Sequence, residues 1–170
     1  MTAPHAHPAK KTRPQLAAGP SLGADSDPTG LLAGAPVQTL EGELPVEFLT
    51  PGDRVVTRSG ARVLRQITVA RVENAAVVQI RAGSLGQGRP KAALTIGAGQ
   101  LVLLRDWRAK AMFDSPQALV PVARLIDGAH LRREIRTEAR LITLQFDRLE
   151  TIYVGGLELS CPAFAEAPVA

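Results

Sequence analysis

The chain has 170 residues, 45% of them apolar, enough for one domain with a real core plus an extension. Its formal charge of +4, from twenty basic and sixteen acidic residues, is too mild to mark a nucleic-acid binder, and no basic–aromatic stacking motif accompanies it. One cysteine, Cys161, and three scattered histidines, His5, His7 and His130, exclude a disulfide framework within the chain and a cysteine-type zinc site.

Residues 1–29 contain five prolines, and two leucines are their only large apolar residues, so they are expected to form a disordered Pro/Ala/Gly-rich tail. His5 and His7 read as part of this solvated tail rather than as a metal site. Lys10, Lys11 and Arg13 precede a stretch broken by Gly, Pro and Asp, so no secretory signal is expected. No apolar run reaches the ~20 residues of a membrane helix. The cytoplasm is the default expectation, with signal-independent export left open.

From residue 30 to 165 the chain reads as one β domain, with 166–170 a frayed end. PVQT, 36–39, is a short strand before a turn at Glu41-Gly42. Pro51-Gly52-Asp53 is a second turn, in which Asp53 can accept backbone N–H groups. DRVVTRSGARVLRQITVARV reads as two strands around Ser59-Gly60. AVVQIRA, ALTI and QLVLLR are further strands. The loop 83–91, GSLGQGRPK, lacks the helix and signature of a phosphate loop and reads as a long hairpin loop. A short helix is expected at 108–114. AHLRREIRTEAR, 129–140, reads as strand plus loop. Its Arg132, Arg133, Arg136 and Arg140 interleave with Glu134 and Glu138 and form a solvated, self-paired face. In RLITLQF the core face is Ile142, Leu144 and Phe146. ETIYV is a last strand. Many short strands between frequent turns predict an all-β fold with curled, partly barrel-like sheets.

Four ordered segments carry a family resemblance. The first is GAPVQTLEGELPVEFLTPGDRVVTRSG, with Gly42-Glu43-Leu44-Pro45-Val46-Glu47 and Pro51-Gly52-Asp53. The others are VVQIRAGSLGQGRPKAALTI, 77–96, QALVPVARLIDGAHLRR, 117–133, and LITLQFDRLETIYVGGLELS, 141–160. Together they resemble the Hint domain, the hedgehog/intein fold, and are most similar to bacterial stand-alone Hint-domain proteins. The resemblance implies an all-β Hint-type fold of about ten or more short strands.

It also implies a chemistry. A Cys, Ser or Thr at the domain's first position attacks the preceding carbonyl, and histidines assist by proton transfer. Carried over to this sequence, the nucleophile position falls on Gly30, which has no side chain. One histidine position falls on Gln100, within Gly97-Ala98-Gly99-Gln100. The other falls on Leu149, within Asp147-Arg148-Leu149-Glu150, where a leucine is expected to fill the pocket. The C-terminal His-Asn pair of inteins is not found ahead of the closing EAPVA. Thr29, one position off, is the weak hydroxyl candidate.

The expectation is therefore a Hint-like scaffold without self-cleavage, acting by binding or as a remnant. Two alternatives stay open. One is a residual autoproteolytic domain using Thr29. The other is a basic surface module for an anionic partner. Cys161 reads as a buried structural cysteine, and Asp147, Arg148 and Glu150 as local ion pairs or turn caps. No catalytic residue, cofactor or metal is expected, and no partner is identified.

Overall fold

The alternation that begins at Pro36 becomes a run of hairpins. β1 (Pro36–Thr39) and β2 (Gly42–Pro45) pair antiparallel, and Gly42 closes their turn at φ +106°. Thr39 Oγ1 donates to the Gly42 carbonyl at 2.8 Å. β3 (Arg54–Thr57) and β4 (Gly60–Val63) use the same arrangement, with Thr57 Oγ1 donating to Gly60 at 2.7 Å. Between the hairpins, the Thr50 amide donates to Asp53 Oδ2 at 2.9 Å across the Pro51-Gly52 turn. The side chain thus supplies a partner that the turning backbone lacks.

The structure, a computed structural model, describes residues 26–165. The proposed tail up to residue 25, with His5 and His7, and the end at 166–170 lie outside the described residues. The remaining elements are β5 (Gln66–Ile80), β6 (Leu94–Gly97), β7 (Leu101–Leu104), α1 (Trp107–Phe113), β8 (Ala118–Pro121), β9 (Leu131–Gln145), β10 (Glu150–Val154) and β11 (Leu157–Cys161). Asp106 caps α1, its carboxylate accepting from the Arg108 amide at 2.9 Å. No helix among the described residues is long and apolar enough to cross a membrane.

Two sheets result. The larger runs β2-β1-β3-β10-β11-β7-β8, with β4 added on β3. The smaller is β6-β5-β9. They curl around a shared aliphatic core without closing into one barrel. Val37, Val55, Ile80, Ile96, Ile152 and Leu159 are among its fully buried side chains. Ile142, Leu144 and Phe146 point into this core as the alternation predicts, while Leu141 joins a small cluster with Ala75 and Ala139.

Nine of the eleven strands among the described residues are the short strands expected, of four or five residues, and β5 and β9 are the long ones. Each has fifteen residues, and they pair from Gln66↔Gln145 to Ile80↔Leu131. The segment read as one strand after Ser59-Gly60 divides into β4 and the start of β5, and β5 runs on through Asn74 to take in AVVQI. Asn74 has φ +47°, a region asparagine tolerates, and the ladder keeps its register on either side, Glu73↔Glu138 and Ala75↔Arg136. The segment 129–140 is strand from Leu131 onward, with Ala129 and His130 in the preceding loop.

Candidate functional site

The chain enters the domain along the smaller sheet. Leu31 forms backbone bridges to both Ile96 and Ile142. Its N–H donates to the Ile142 carbonyl, and the Ile142 N–H donates back, each at 2.8 Å. Gly30 is buried just before this bridge, and its carbonyl accepts from the Gly97 amide at 2.9 Å. Its φ of +125° lies where side chains are strained. A Cβ there would stand 3.1 Å from Leu141 Cβ and 3.2 Å from the Ile142 carbonyl oxygen. Position 30 therefore has no side chain, and a Cβ there would be both strained and tightly packed.

Gln100 meets this position directly. The Gly30 N–H donates to Gln100 Oε1 at 3.1 Å, across seventy residues of sequence. The other end of the same amide is equally fixed: Nε2 donates to the Ser160 carbonyl at 2.8 Å and to the Leu101 carbonyl at 3.3 Å. Gln100 is only 7% exposed, so these bonds hold it without competition from water. The glutamine touches the nitrogen of the Thr29–Gly30 peptide. A carboxamide there can hydrogen-bond that nitrogen but carries no proton to exchange at neutral pH.

The other sequence-marked residues do not gather at this point. Thr29 is exposed, and its hydroxyl makes no hydrogen bond among the described residues. Leu149 is 59% exposed in the turn between β9 and β10, which corrects the expectation that it fills a pocket. Asp147, Arg148 and Leu149, between the Phe146 bridge and β10, are all exposed. His130 is exposed in the loop before β9, its Nδ1 3.2 Å from Asp127 Oδ2. Hydrogen bonds from the Leu131 and His130 amides hold the Asp127 carboxyl well below the usual range. That pairing organises a loop. Cys161 is buried on β11, and burial, with the Glu150 charge, pushes its thiol up to about 12. A thiol so held does not supply a nucleophile near neutral pH.

Two buried carboxylates anchor the larger sheet. Glu158 is 2% exposed and takes Arg105 at 2.8 and 3.0 Å and Arg58 at 3.1 Å. Glu150 accepts from Ser59 Oγ at 2.6 Å, with Arg148 and Arg62 at 3.2 and 3.3 Å. Burial works against its ionisation, but the hydrogen bonds from Ser59, Arg148 and Thr57 and the charge of Arg148 together hold its carboxyl below the ordinary range. Asp147 pairs with Arg65 at 3.2 Å. These groups are ion pairs and turn caps. Sequence reading missed Glu158, whose signal is an acid inside the apolar strand LELSC. It also missed Asp27 and the contacts that Gly97, Gly99 and Arg133 make with residues 27–30. No group of three His, Cys, Asp or Glu side chains among the described residues is placed to hold a metal.

The comparisons agree with this architecture. A search of curated proteins returns no match. Among solved structures, the chain is similar to a bacterial intein-like domain from Clostridium thermocellum, at 14% identity over 79% of this chain and 99% of that one, with a TM-score of 0.59. It is also similar to the gp41-1 intein, at 12% identity over 78% of this chain and 98% of that one, with a TM-score of 0.52. At such identities the likeness is one of fold. The family model described as Hint domain matches residues 29–161, beginning at the junction where Thr29 meets Gly30. The chain belongs to the Hint domain family.

Proposed function

We propose that this chain is a Hint scaffold that no longer processes itself and that serves by binding or persists as a remnant. The observation that carries the reading is the contact at the junction. Where the family resemblance implies a nucleophile and a proton-transfer group, Gly30 offers only its amide N–H, and Gln100 accepts it at 3.1 Å. Loss of a nucleophile alone removes catalysis by orders of magnitude.

The test is intact mass of the full-length chain over several days at neutral pH, with and without a strong thiol or hydroxylamine. An unchanged mass is expected. A cut before Gly30 would overturn the reading.

One observation favours a second reading. An acyl shift onto Thr29 would act on the Pro28 carbonyl, which already accepts from the Gly99 amide at 2.9 Å. That is one donor of the kind that stabilises a developing oxyanion. No base partners the Thr29 hydroxyl among the described residues. In the same mass measurement a cut before Thr29 would support this reading. For a basic surface module, salt-sensitive retention on heparin is the corresponding result. The pairing of Arg133 with Asp27, Arg136 with Glu134 and Arg71 with Glu138 favours the self-neutralised face instead.

A further inference from the structure

A cavity of about 420 Å³ opens where the chain leaves the smaller sheet for β1. Its walls come from distant parts of the sequence: the residues just ahead of β1, those leading into β6, and Arg136 on β9. Backbone hydrogen bonds fix them in place. The Lys91 N–H donates to the Gly155 carbonyl and the Gly155 N–H to the Pro36 carbonyl, both at 3.0 Å. The Ala35 carbonyl accepts from the Val46 amide at 2.9 Å, and the Gly34 N–H donates to Glu47 Oε2 at 2.7 Å. The cavity is thus built into the fold, and its volume is that of a small-ligand site.

Three charged side chains stand on its walls, Arg136, Lys91 and Glu43. Lys91 and Glu43 offset each other, with Nζ 3.1 Å from Oε1. Arg136 is held less well. Its Nε lies 3.5 Å from Glu134 Oε1, is buried, and makes no hydrogen bond. A buried donor without an acceptor is uncommon and points to a missing partner. The rest of the wall is uncharged and largely aliphatic, with Leu32, Ala35, Pro36 and Leu94. The three wall charges sum to one positive charge. One negative charge is balanced there, and a second is opposed by Glu43.

We propose that this cavity binds a small monocarboxylate with a short aliphatic tail. The carboxylate sits on Arg136, Lys91 adds its charge, and the tail lies against Leu32, Pro36 and Leu94. The Arg136 side chain is 40% exposed and Glu134 is 47% exposed, so both can turn. A small turn presents Nε and a terminal nitrogen as a parallel pair, the arrangement that matches a carboxylate. The buried Nε then gains the acceptor it lacks. Thr29, Gly30 and Gln100 are not among the wall residues, so the site does not depend on the loss of self-processing.

The test is a titration of the isotope-labelled full-length chain with valerate, followed by NMR amide shifts. Saturable shifts at Gly34, Leu94 and Thr95 are expected, with a Kd of roughly millimolar order for so small a ligand. Valeramide has the same shape without the charge and should bind at least about tenfold more weakly. Arg136→Gln should weaken valerate binding by at least about tenfold as well. Glu43→Gln releases Lys91 from its pair and should tighten valerate binding by about threefold. Amide shifts of β7 and β8 should stay unchanged in both variants, showing that the domain is folded. No saturable shift up to about 50 mM valerate would overturn the proposal. So would equal binding of valeramide, or an Arg136→Gln chain that binds valerate as the parent does. Inorganic phosphate binding more tightly than valerate would overturn the assignment to a monocarboxylate. A cut before Gly30 would sink the non-processing reading and leave this site standing, so the two failures are distinct.

Discussion

Gly30→Ala is expected to destabilise the domain by about 2 kcal/mol, from about 2 kcal/mol of strain and ~1 kcal/mol of crowding less ~1 kcal/mol from the stiffer unfolded chain. The first is backbone strain. At φ +125° a residue with a side chain costs about 1–3 kcal/mol. The second is crowding. The added Cβ would lie 3.1 Å from Leu141 Cβ, 3.2 Å from the Ile142 oxygen and 3.3 Å from the Ile142 nitrogen. Ile142 has little freedom to retreat, because its N–H and C=O are both bonded to Leu31 at 2.8 Å. Overpacking of this degree adds roughly 1 kcal/mol. Against these, the stiffer unfolded chain returns about 0.4–1 kcal/mol. For a domain of this length each kcal/mol moves Tm by about 2–4 °C, so a fall of about 4–8 °C is expected. Calorimetry on the parent and the variant reads it directly. Gly34→Ala separates the two costs. Gly34 has φ +90° but nothing within 4 Å of where an added methyl would stand, so its variant carries strain without crowding and should fall less. A Gly30→Ala variant melting within about 1 °C of the parent would refute this account of strain and crowding at position 30.

Three further outcomes follow from the same geometry. Gly30→Cys combined with Gln100→His should stay intact by mass over several days, because a side chain at 30 starts toward Leu141 and the Ile142 backbone; appearance of a cut before position 30 would contradict this. Gln100→Leu should lower the urea midpoint by an amount equivalent to about 2–4 kcal/mol, since it strands the buried Gly30 N–H and deprives the Ser160 carbonyl of its donor; a loss below about 1 kcal/mol would mean that water reaches these groups. For Cys161, the folded-state value is raised to about 12 from an ordinary value of 9.0, so the folded chain keeps a proton that the unfolded chain releases. Its stabilisation is complete below about pH 9 and is lost as pH rises toward 12, at up to about 1.4 kcal/mol per pH unit. Cys161→Val should flatten this decline between pH 8 and 10.5, as followed by urea unfolding, and an unchanged slope would refute it.

Much of the fold was legible because β structure writes itself with period two. The Ile142, Leu144, Phe146 face was readable from alternation, and the Pro51-Gly52-Asp53 turn from its residue chemistry. What misled was charge. Arg132 to Glu138 carry polar groups on both faces, which hides a strand from any test that asks for one apolar side. The strand forms because β5 supplies a full ladder of backbone partners. Asn74, at φ +47°, stands inside a strand paired on both sides of it. Such pairing joins residues far apart in sequence, which local pattern does not report.

The candidate site divides along the same line. The positions Gly30 and Gln100 could be marked only through the order of the family's segments, and the fold brings them into contact. Leu149 was marked in the same way and lies in solvent, because alignment fixes a residue's place along the chain but not the direction of its side chain. Asp27 had no mark, Arg133 read as one of a self-paired cluster, and Gly97 and Gly99 were named only as neighbours of Gln100, since a glycine required by space looks like any other glycine.

Gln100 shows how one side chain holds this junction together. A neutral imidazole offers one acceptor and one donor. Gln100 offers the same two, its Oε1 taking the Gly30 N–H and its Nε2 serving the Ser160 carbonyl. These two hydrogen bonds tie Gly30 to β11. Unlike an imidazole, the carboxamide does not give and take a proton near neutral pH. At position 30 the logic is complementary. A glycine there permits a backbone that no nucleophilic residue shares without strain. Both residues suit the folded state, and on the proposed reading neither supplies the nucleophile or the proton transfer that acyl transfer needs. Packing and acyl transfer draw on different properties of a residue, so a junction of this kind can keep the one without the other.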